Sequence, residues 1–505
     1  MFRLVYAGFF LLAPDEANHW QWGRHLDWGY HDQAPLIGWA VRVSTDILGH
    51  TERAVRLPSV IAVAVASLYM VGMASRWFGS RAAFNTALFG QLILEFNLGG
   101  LLATPDGLQA AAWAGAAYHT ARGYESDDWA QWLAAGIWFG VGVLSKFTMI
   151  IFLPSVFFYG LLSPLHRGRL KNIRPYAAFS VGLLMLMPVI VWNAAHNWNS
   201  VRHVAHLGGV DERFALSLKF FGEYLASQAA LLSPLVFVLV LMAWVEVIRK
   251  RHPGGEWVYP YLVYASLPMF AVFGLLSLHS RVYSNWPGAG FLTAAVLAVA
   301  MYGPDPARIK PDKRISLGCR LYPWAVASSF IVTALVYLQT AWPVLPIPAH
   351  LDRTVSELGG WKELGRKTHE VLQTMPNPPL TFIFGLDYQT ASELAFYTPG
   401  HPATVSINRW HRPNVYDYWW SDADLIGRDG VGVAHGGGNH WKILSLVFRR
   451  VDPPLRLDVF VPSVWPSEAG NNGKLAQTFY LYRAYGFRGG LRWMPPRSPD
   501  IRAGS

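Results

Sequence analysis

The sequence predicts an all-α polytopic membrane bundle of about eleven helices followed by a smaller α/β domain. Three observations carry that expectation. Of 505 residues, 52% are hydrophobic and only 15% are charged, which is poor in charge for a water-soluble chain of this length. Apolar runs approaching the roughly 20 residues that a bilayer crossing needs recur through the first two thirds of the chain. After Trp342 they stop, and Gly, Pro and Asn clusters separate short strand-like runs.

The candidate spans are 57–75, 82–103, 107–121, 129–144, 147–163, 176–194, 228–248, 258–278, 286–303 and 322–343. Counting the shorter run 2–14 as a first span gives eleven. That run lacks a small-residue cleavage site and reads less as a leader than as a first helix that is short or whose start lies upstream of Met1. Pro154, Pro188, Pro234 and Pro268 interrupt several segments, as membrane helices tolerate when neighbours satisfy the freed carbonyls.

Basic residues mark alternate gaps: Arg76 with Arg81, Arg122, HRGRLKNIR (166–174), RKRH (249–252) and RIKPDKR (308–314). The positive-inside rule makes those gaps cytoplasmic. The N-terminus is then inside, the C-terminal domain outside, and 15–55, 103–106, 145–146, 195–215 and 279–285 face outward. Membrane-flanking loops thus account for the net charge of +10, which argues against a nucleic-acid partner. The single Cys319 excludes an internal disulfide and a cysteine metal cluster.

The expected domains are 1–343, the bundle with its first outer loop 15–55, and 344–505, an outer α/β domain. In that loop, APLIGWAVRVSTDIL (34–48) reads as an amphipathic helix lying along the interface. In the C-terminal domain, an amphipathic helix through WKELGRKTHEVLQ precedes strand-like LTFIFGL, LSLVFRRV and LRLDVFV. GVGVAHGGGNHW, ending at Trp441, lacks the lysine and helix order of a phosphate-binding loop and reads as a plain loop.

The outward gaps collect Asp15, Glu16, Asp32, Arg56, Asp106, Lys146, Asn193, His196, His279 and Arg281. Charge at membrane depth is costly and usually has a function, yet each residue also has a plainer reading. Asp15 and Glu16 are either a solvated helix end or a carboxylate pair supplying a general base. Asp106, in ATPDG, is either a turn residue or a second functional carboxylate. Lys146 either snorkels to the interface or binds a phosphate, with Arg56 and Arg281 joining it or anchoring helix ends. Tyr30, His31 and Asp32, with Trp20, Trp22, Trp28 and Trp39, either shape a substrate pocket or anchor the loop in the interface. His19, His25 and His31 are six apart, so no helix face gathers them and a histidine-built zinc site is not expected. No cofactor is specified; a divalent metal held in part by Glu16 is compatible with the sequence.

Taken in order, PDEANHWQWGRHLDWGYHDQAPLIGW, TERAVRLPSV, LLATPDG, GVLSKFT, VIVWNAAHNW and SNWPGAGFL, then GLDYQTASELAFYTPGHP and FYLYRAYGFRGG in the tail, resemble the polytopic glycosyltransferases of the GT-C superfamily. The resemblance is to the prokaryotic protein O-mannosyltransferase and aminoarabinose (lipid A) transferase relatives, and it covers nearly the whole chain. It implies an outward-facing active site in a prokaryotic cytoplasmic membrane and a polyprenyl-phosphate-linked sugar donor. It also implies an envelope lipid, glycan or protein acceptor and inversion at the anomeric carbon. It places Asp15 at the family's base position with Glu16 completing the acidic pair, Asp106 at the second acidic motif, and Lys146 at the donor phosphate. The chain departs from the family's Tyr-Tyr-Asp-His-Pro-Pro at Tyr30-His31-Asp32-Gln33-Ala34-Pro35, where His31 is the neighbouring histidine. The competing class is a transporter or flippase of lipid-linked sugars. Transporters show paired repeats and midplane charges; here no repeat is visible and the ionisable groups gather at one face, which favours the enzyme.

Overall fold

Helices built from the apolar runs dominate the first 340 residues, because backbone in hydrocarbon must satisfy its hydrogen bonds within the segment. The computed structural model describes residues 1–210, 215–252, 256–304, 313–348, 351–407, 412–436, 440–462 and 473–491. Residues 308–312 of the basic run RIKPDKR lie outside the described residues. Two units emerge: Met1–Asp27, Gly38–Val55 and Val336–Ser505 form one, Trp28–Ile37 and Arg56–Leu335 the other.

In the helical unit the expected straight spans are often broken. Among the described residues, Glu52–Leu92, Val258–Leu276 and Leu317–Ala341 are long and apolar enough to cross a membrane. Ile173–Leu184 with Met187–Ala195 is bent by 43°, and Leu218–Leu232 with Pro234–Ile248 by 107°; counting each bent pair as one span gives up to 5. Trp129–Ser145, Phe147–Leu162 and Gly290–Tyr302 are shorter apolar helices. The breaks have local causes. Ser233, at φ 71°, precedes Pro234, whose ring disfavours helical backbone in the residue before it. Gly79, at φ 87°, interrupts Glu52–Leu92, a conformation glycine adopts without steric cost. The apolar run 2–14 does not form one helix: only Phe2–Tyr6 is helical, and a new helix begins at Pro14.

This unit's core combines large aromatics with small residues. Trp113, Trp132, Tyr124, Tyr261 and Tyr302 are buried beside Ala114, Ala117 and Ala121. Small side chains on Pro105–Ser126 let neighbouring backbones approach, the usual packing solution where lipid gives no hydrophobic drive between helices.

The other unit is built on a six-stranded sheet: β1 (Phe382–Gly385), β2 (Thr404–Ser406), β3 (Gly430–His435), β4 (Phe448–Val451), β5 (Leu455–Pro462) and β6 (Gly473–Phe487). The order is β2-β1-β3-β6-β4, with β5 also paired to β6. β1 runs parallel to β2 and β3, while β6 is antiparallel to β3, β4 and β5. One core joins Trp361, Leu364 and Val371 of the helix Trp361–Gln373 to Ile383, Val431 and Val433; another joins Phe384 and Phe448 to Leu444 and Val447. β1 is therefore buried throughout, which explains its unbroken apolar reading. Two expectations are corrected here. Much of GVGVAHGGGNHW is strand, because Gly430–His435 pairs on both edges, with 437–439 outside the described residues. LSLVFRRV is half helix, His440–Val447, and half strand.

The first segment belongs to this same unit. Helix Pro14–Arg24 packs on helix Tyr388–Tyr397; the Leu12 amide donates to Tyr397 Oη at 2.7 Å and Gln21 Nε2 to Tyr416 Oη at 3.1 Å. Trp20 is buried edge-on against Phe396, centroids 4.9 Å apart. His25 stacks on Trp419 at 4.2 Å, and burial, with Arg24 beside it, lowers its pKa from 6.5 to about 4. Between those values the unfolded chain binds a proton that the folded chain refuses. This contribution to stability is therefore complete above about pH 6.5 and is lost as pH falls toward 4. Thermal melts from pH 7 to 4 are expected to show that loss, and His25→Phe to show a flatter slope; equal slopes would refute it.

Candidate active site

Asp106 owes its position to local backbone chemistry. Pro105 opens the helix Pro105–Ser126 after an extended Thr104, so the Asp106 carboxylate sits in the first turn, where unpaired N–H groups and the helix dipole favour an anion. Lys146 reaches it from the extended break between Trp129–Ser145 and Phe147–Ile151: its Nζ donates to Asp106 Oδ1 at 2.7 Å. Asn285 Nδ2 donates to both carboxylate oxygens at 3.1 Å. The Lys146 side chain is 5% exposed and that of Asp106 19%, so the lysine is nearly dry while the carboxylate keeps an open side.

That open side faces a small cleft lined by Glu95 and Asp106 together with Val63, Ala66, Met70, Phe96 and Leu292. Apolar walls with a few convergent polar groups are the usual character of a ligand site. Gly107 makes the geometry possible: a Cβ there would stand 2.4 Å from the Gly99 carbonyl oxygen, so a side chain would force this helix end away from the turn that carries Glu95. Sequence reasoning missed Glu95 and Asn285. Glu95 had a usable signal, a lone charge inside the apolar run 82–103; Asn285 lies within SNWPGAGFL, which had no assigned role.

In the other unit the acidic pair divides its labour. Glu16 is fully buried, and its Oε2 accepts from the Ala13 amide at 2.9 Å, capping its own helix. Asp15 is exposed and accepts from Tyr388 Oη at 3.4 Å; Arg412 donates to the same Tyr388 oxygen at 3.0 Å. Neither Tyr388 nor Arg412 was anticipated.

The remaining candidates fall in the helical unit. Asp32 Oδ1 lies 3.2 Å from His203 Nε2, and the His31 and His203 rings are 4.9 Å apart. The Tyr30 carbonyl accepts from Ser200 Oγ at 2.6 Å. Asn193 is buried; its Nδ2 donates to the Val189 carbonyl at 2.9 Å, while its Oδ1 has no hydrogen-bond partner among the described residues. His196 stacks on Trp192, with Nδ1 2.7 Å from that residue's carbonyl. His279 braces a loop, Nδ1 accepting from the Ala215 amide at 3.3 Å and Nε2 lying 3.0 Å from the Gly209 carbonyl. Arg56 is fully buried, whereas Arg281 is exposed and pairs with Glu223 at 3.7 Å. The structure thus brings Asp106 to Lys146 and Asp32 to His203, and turns Arg281 and His279 to other partners.

Residues 32–192, which include Asp106 and Lys146, match the family model described as dolichyl-phosphate-mannose-protein mannosyltransferase. The lipid A galacturonosyltransferase RgtD of Rhizobium johnstonii is 25% identical over 301 residues, which cover 56% of this chain and 59% of that protein. The alignment therefore spans less than two thirds of that relative. In fold, the chain matches ArnT from Cupriavidus metallidurans with a TM-score of 0.60 at 14% identity over 95% of both chains, and the undecaprenyl-phosphate-bound form of ArnT with 0.59. It also matches the Archaeoglobus fulgidus oligosaccharyltransferase AglB, solved with an inhibitory peptide and a dolichol-phosphate, with a TM-score of 0.52 at 12% identity over 94% of this chain and 71% of that one. The chain is homologous to glycosyltransferases and carries the mostly helical GT-C type of fold with a small C-terminal sheet domain.

Proposed function

We propose that this protein is a membrane glycosyltransferase that moves a sugar from a polyprenyl-phosphate donor to an envelope lipid, glycan or protein on the outer face, with inversion. The observation that carries the reading is the Asp106 carboxylate, held by Lys146 and Asn285 at the head of a mostly apolar cleft. It lies within the residues that match a family described by a lipid-phosphate sugar donor.

The donor arrives with its leaving group attached, so the protein must supply a base, cations and a groove. Asp15 takes the proton of an acceptor hydroxyl as that oxygen bonds to the anomeric carbon. The bond from that carbon to the phosphate oxygen breaks, and its electron pair leaves with the polyprenyl phosphate. Lys146 and Arg56 stabilise the charge that develops there, with Arg281 as an outer cation. Glu16 holds the helix that carries Asp15, and Asp106 binds a sugar or acceptor hydroxyl through its open side. Tyr30, His31, Asp32, Asn193, His196 and His279 are assigned to the substrate pocket. In this reading the chain crosses the membrane about eleven times, leaving loop 15–55 and domain 344–505 extracytoplasmic.

Mass spectrometry of lipid-linked sugars and envelope glycans, with and without the gene, tests this reading. Loss of the gene is expected to remove one sugar from an envelope glycan and to raise its polyprenyl-phosphate form. Identical glycans and donor pools would contradict it.

A further inference from the structure

We propose that Tyr388, held by Arg412, is a positioning residue for Asp15, so that the C-terminal domain completes the catalytic site. The inference rests on the reading of Asp15 as the general base. Tyr388 Oη donates to Asp15 Oδ1 at 3.4 Å, and Arg412 Nη2 donates to the same Tyr388 oxygen at 3.0 Å. Arg412 also lies over the Tyr388 ring, 5.2 Å from its centroid. A guanidinium that donates to a phenol oxygen polarises the phenol O–H, so the chain from Arg412 through Tyr388 strengthens its last link to the carboxylate. The tyrosine takes Oδ1 and leaves Oδ2 of this exposed side chain open to an acceptor proton. A base oriented by a third group is the recurring arrangement at such sites. Its hydrogen bonds are often long without substrate and tighten when substrate binds.

Two helix starts and one anchored loop place the three groups. Asp15 lies in the first turn of Pro14–Arg24. Tyr388 opens Tyr388–Tyr397, whose N-cap Asp387 accepts from the Thr390 amide at 2.6 Å. Two residues beyond Arg412, the buried Asn414 accepts from the Tyr416 amide at 3.0 Å. Tyr416 Oη in turn accepts from Gln21 and lies 3.0 Å from Ser392 Oγ, which ties that loop to both helices. The competing account is that Tyr388 and Arg412 only dock one helix on the other. Leu12 with Tyr397, Gln21 with Tyr416 and Trp20 with Phe396 already make that docking. Exposed polar contacts such as those of Asp15 and Arg412 add little to it.

Membranes of a strain lacking the gene hold both donor and unmodified acceptor, so they serve as substrate for purified full-length protein, with transfer followed by mass spectrometry. Tyr388→Phe is expected to lower the maximal rate about 10–100-fold. The amount of membrane giving half the maximal rate, the affinity for undecaprenyl phosphate and the melting temperature are expected to stay at wild type. Arg412→Met should act in the same direction, and Arg412→Lys, which keeps a cationic donor, should restore most of the rate. In the Asp15→Asn background, Tyr388→Phe is expected to change the residual rate by about twofold or less, because the two act as one unit; a structural loss would carry over in full. A wild-type maximal rate in Tyr388→Phe, or a fall matched by a lower melting temperature, would overturn the positioning role. If Asp15→Asn abolishes transfer while Tyr388→Phe does not lower it, the base stands and the positioning falls. A wild-type rate in Asp15→Asn would remove both, and no transfer by the wild type would contradict the transferase reading itself.

Discussion

Asp15→Asn is expected to lower glycosyl transfer by about 10²–10⁴-fold, the range that a positioned general base supplies, while leaving the fold and donor binding near wild type. The substitution keeps shape and removes basicity. Asp15 is exposed, so little burial energy rides on it, and Tyr388 Oη can still donate to an amide oxygen in the same place. Initial rates with saturating donor, set beside donor affinity measured separately, read the two effects apart. A wild-type rate would remove Asp15 as the base.

Lys146→Ala is expected to produce the largest loss of stability together with weakened donor binding. The buried lysine and Asp106 neutralise each other at 2.7 Å, and removing one partner of such a pair typically costs about 3–5 kcal/mol because the other charge stays behind. Stability and function separate in the double variant Lys146→Met with Asp106→Asn. It has no stranded charge, and Asn285 can still donate to the new amide. The double variant is expected to melt close to wild type and still bind donor poorly. If it binds donor as wild type does, Lys146 serves the fold and not the phosphate.

Part of the helical unit was legible because a spanning helix leaves a long apolar run: Leu317–Ala341 answers to 322–343, whereas Glu52–Leu92 answers to the run 57–75 and part of 82–103, read as two spans. The breaks were harder to read. Pro234 marked an interruption, but whether Ser233 would turn the chain by 107° depends on packing that no local pattern records. In the sheet, β1 and β5 were visible as β-rich runs, whereas β3 hid behind glycines that suggested a loop. At the site, Asp106 and Lys146 were found because charge beside apolar runs stands out. His203 was missed because its partner Asp32 is 171 positions away, and no short spacing joins the two. Glu95 was missed although its charge sits inside an apolar run, because Gly288, where an added Cβ would collide with the Glu95 carboxylate, carries no chemical signal of its own.

The most direct test is transfer by purified protein in liposomes carrying a defined polyprenyl-phosphate sugar and envelope acceptors. Mass spectrometry of both lipid and acceptor is predicted to show free polyprenyl phosphate and an acceptor gaining the sugar with inverted anomeric configuration, in wild type and not in Asp15→Asn. Sugar that crosses the bilayer still attached to its polyprenyl phosphate, with no acceptor modified, would contradict the account.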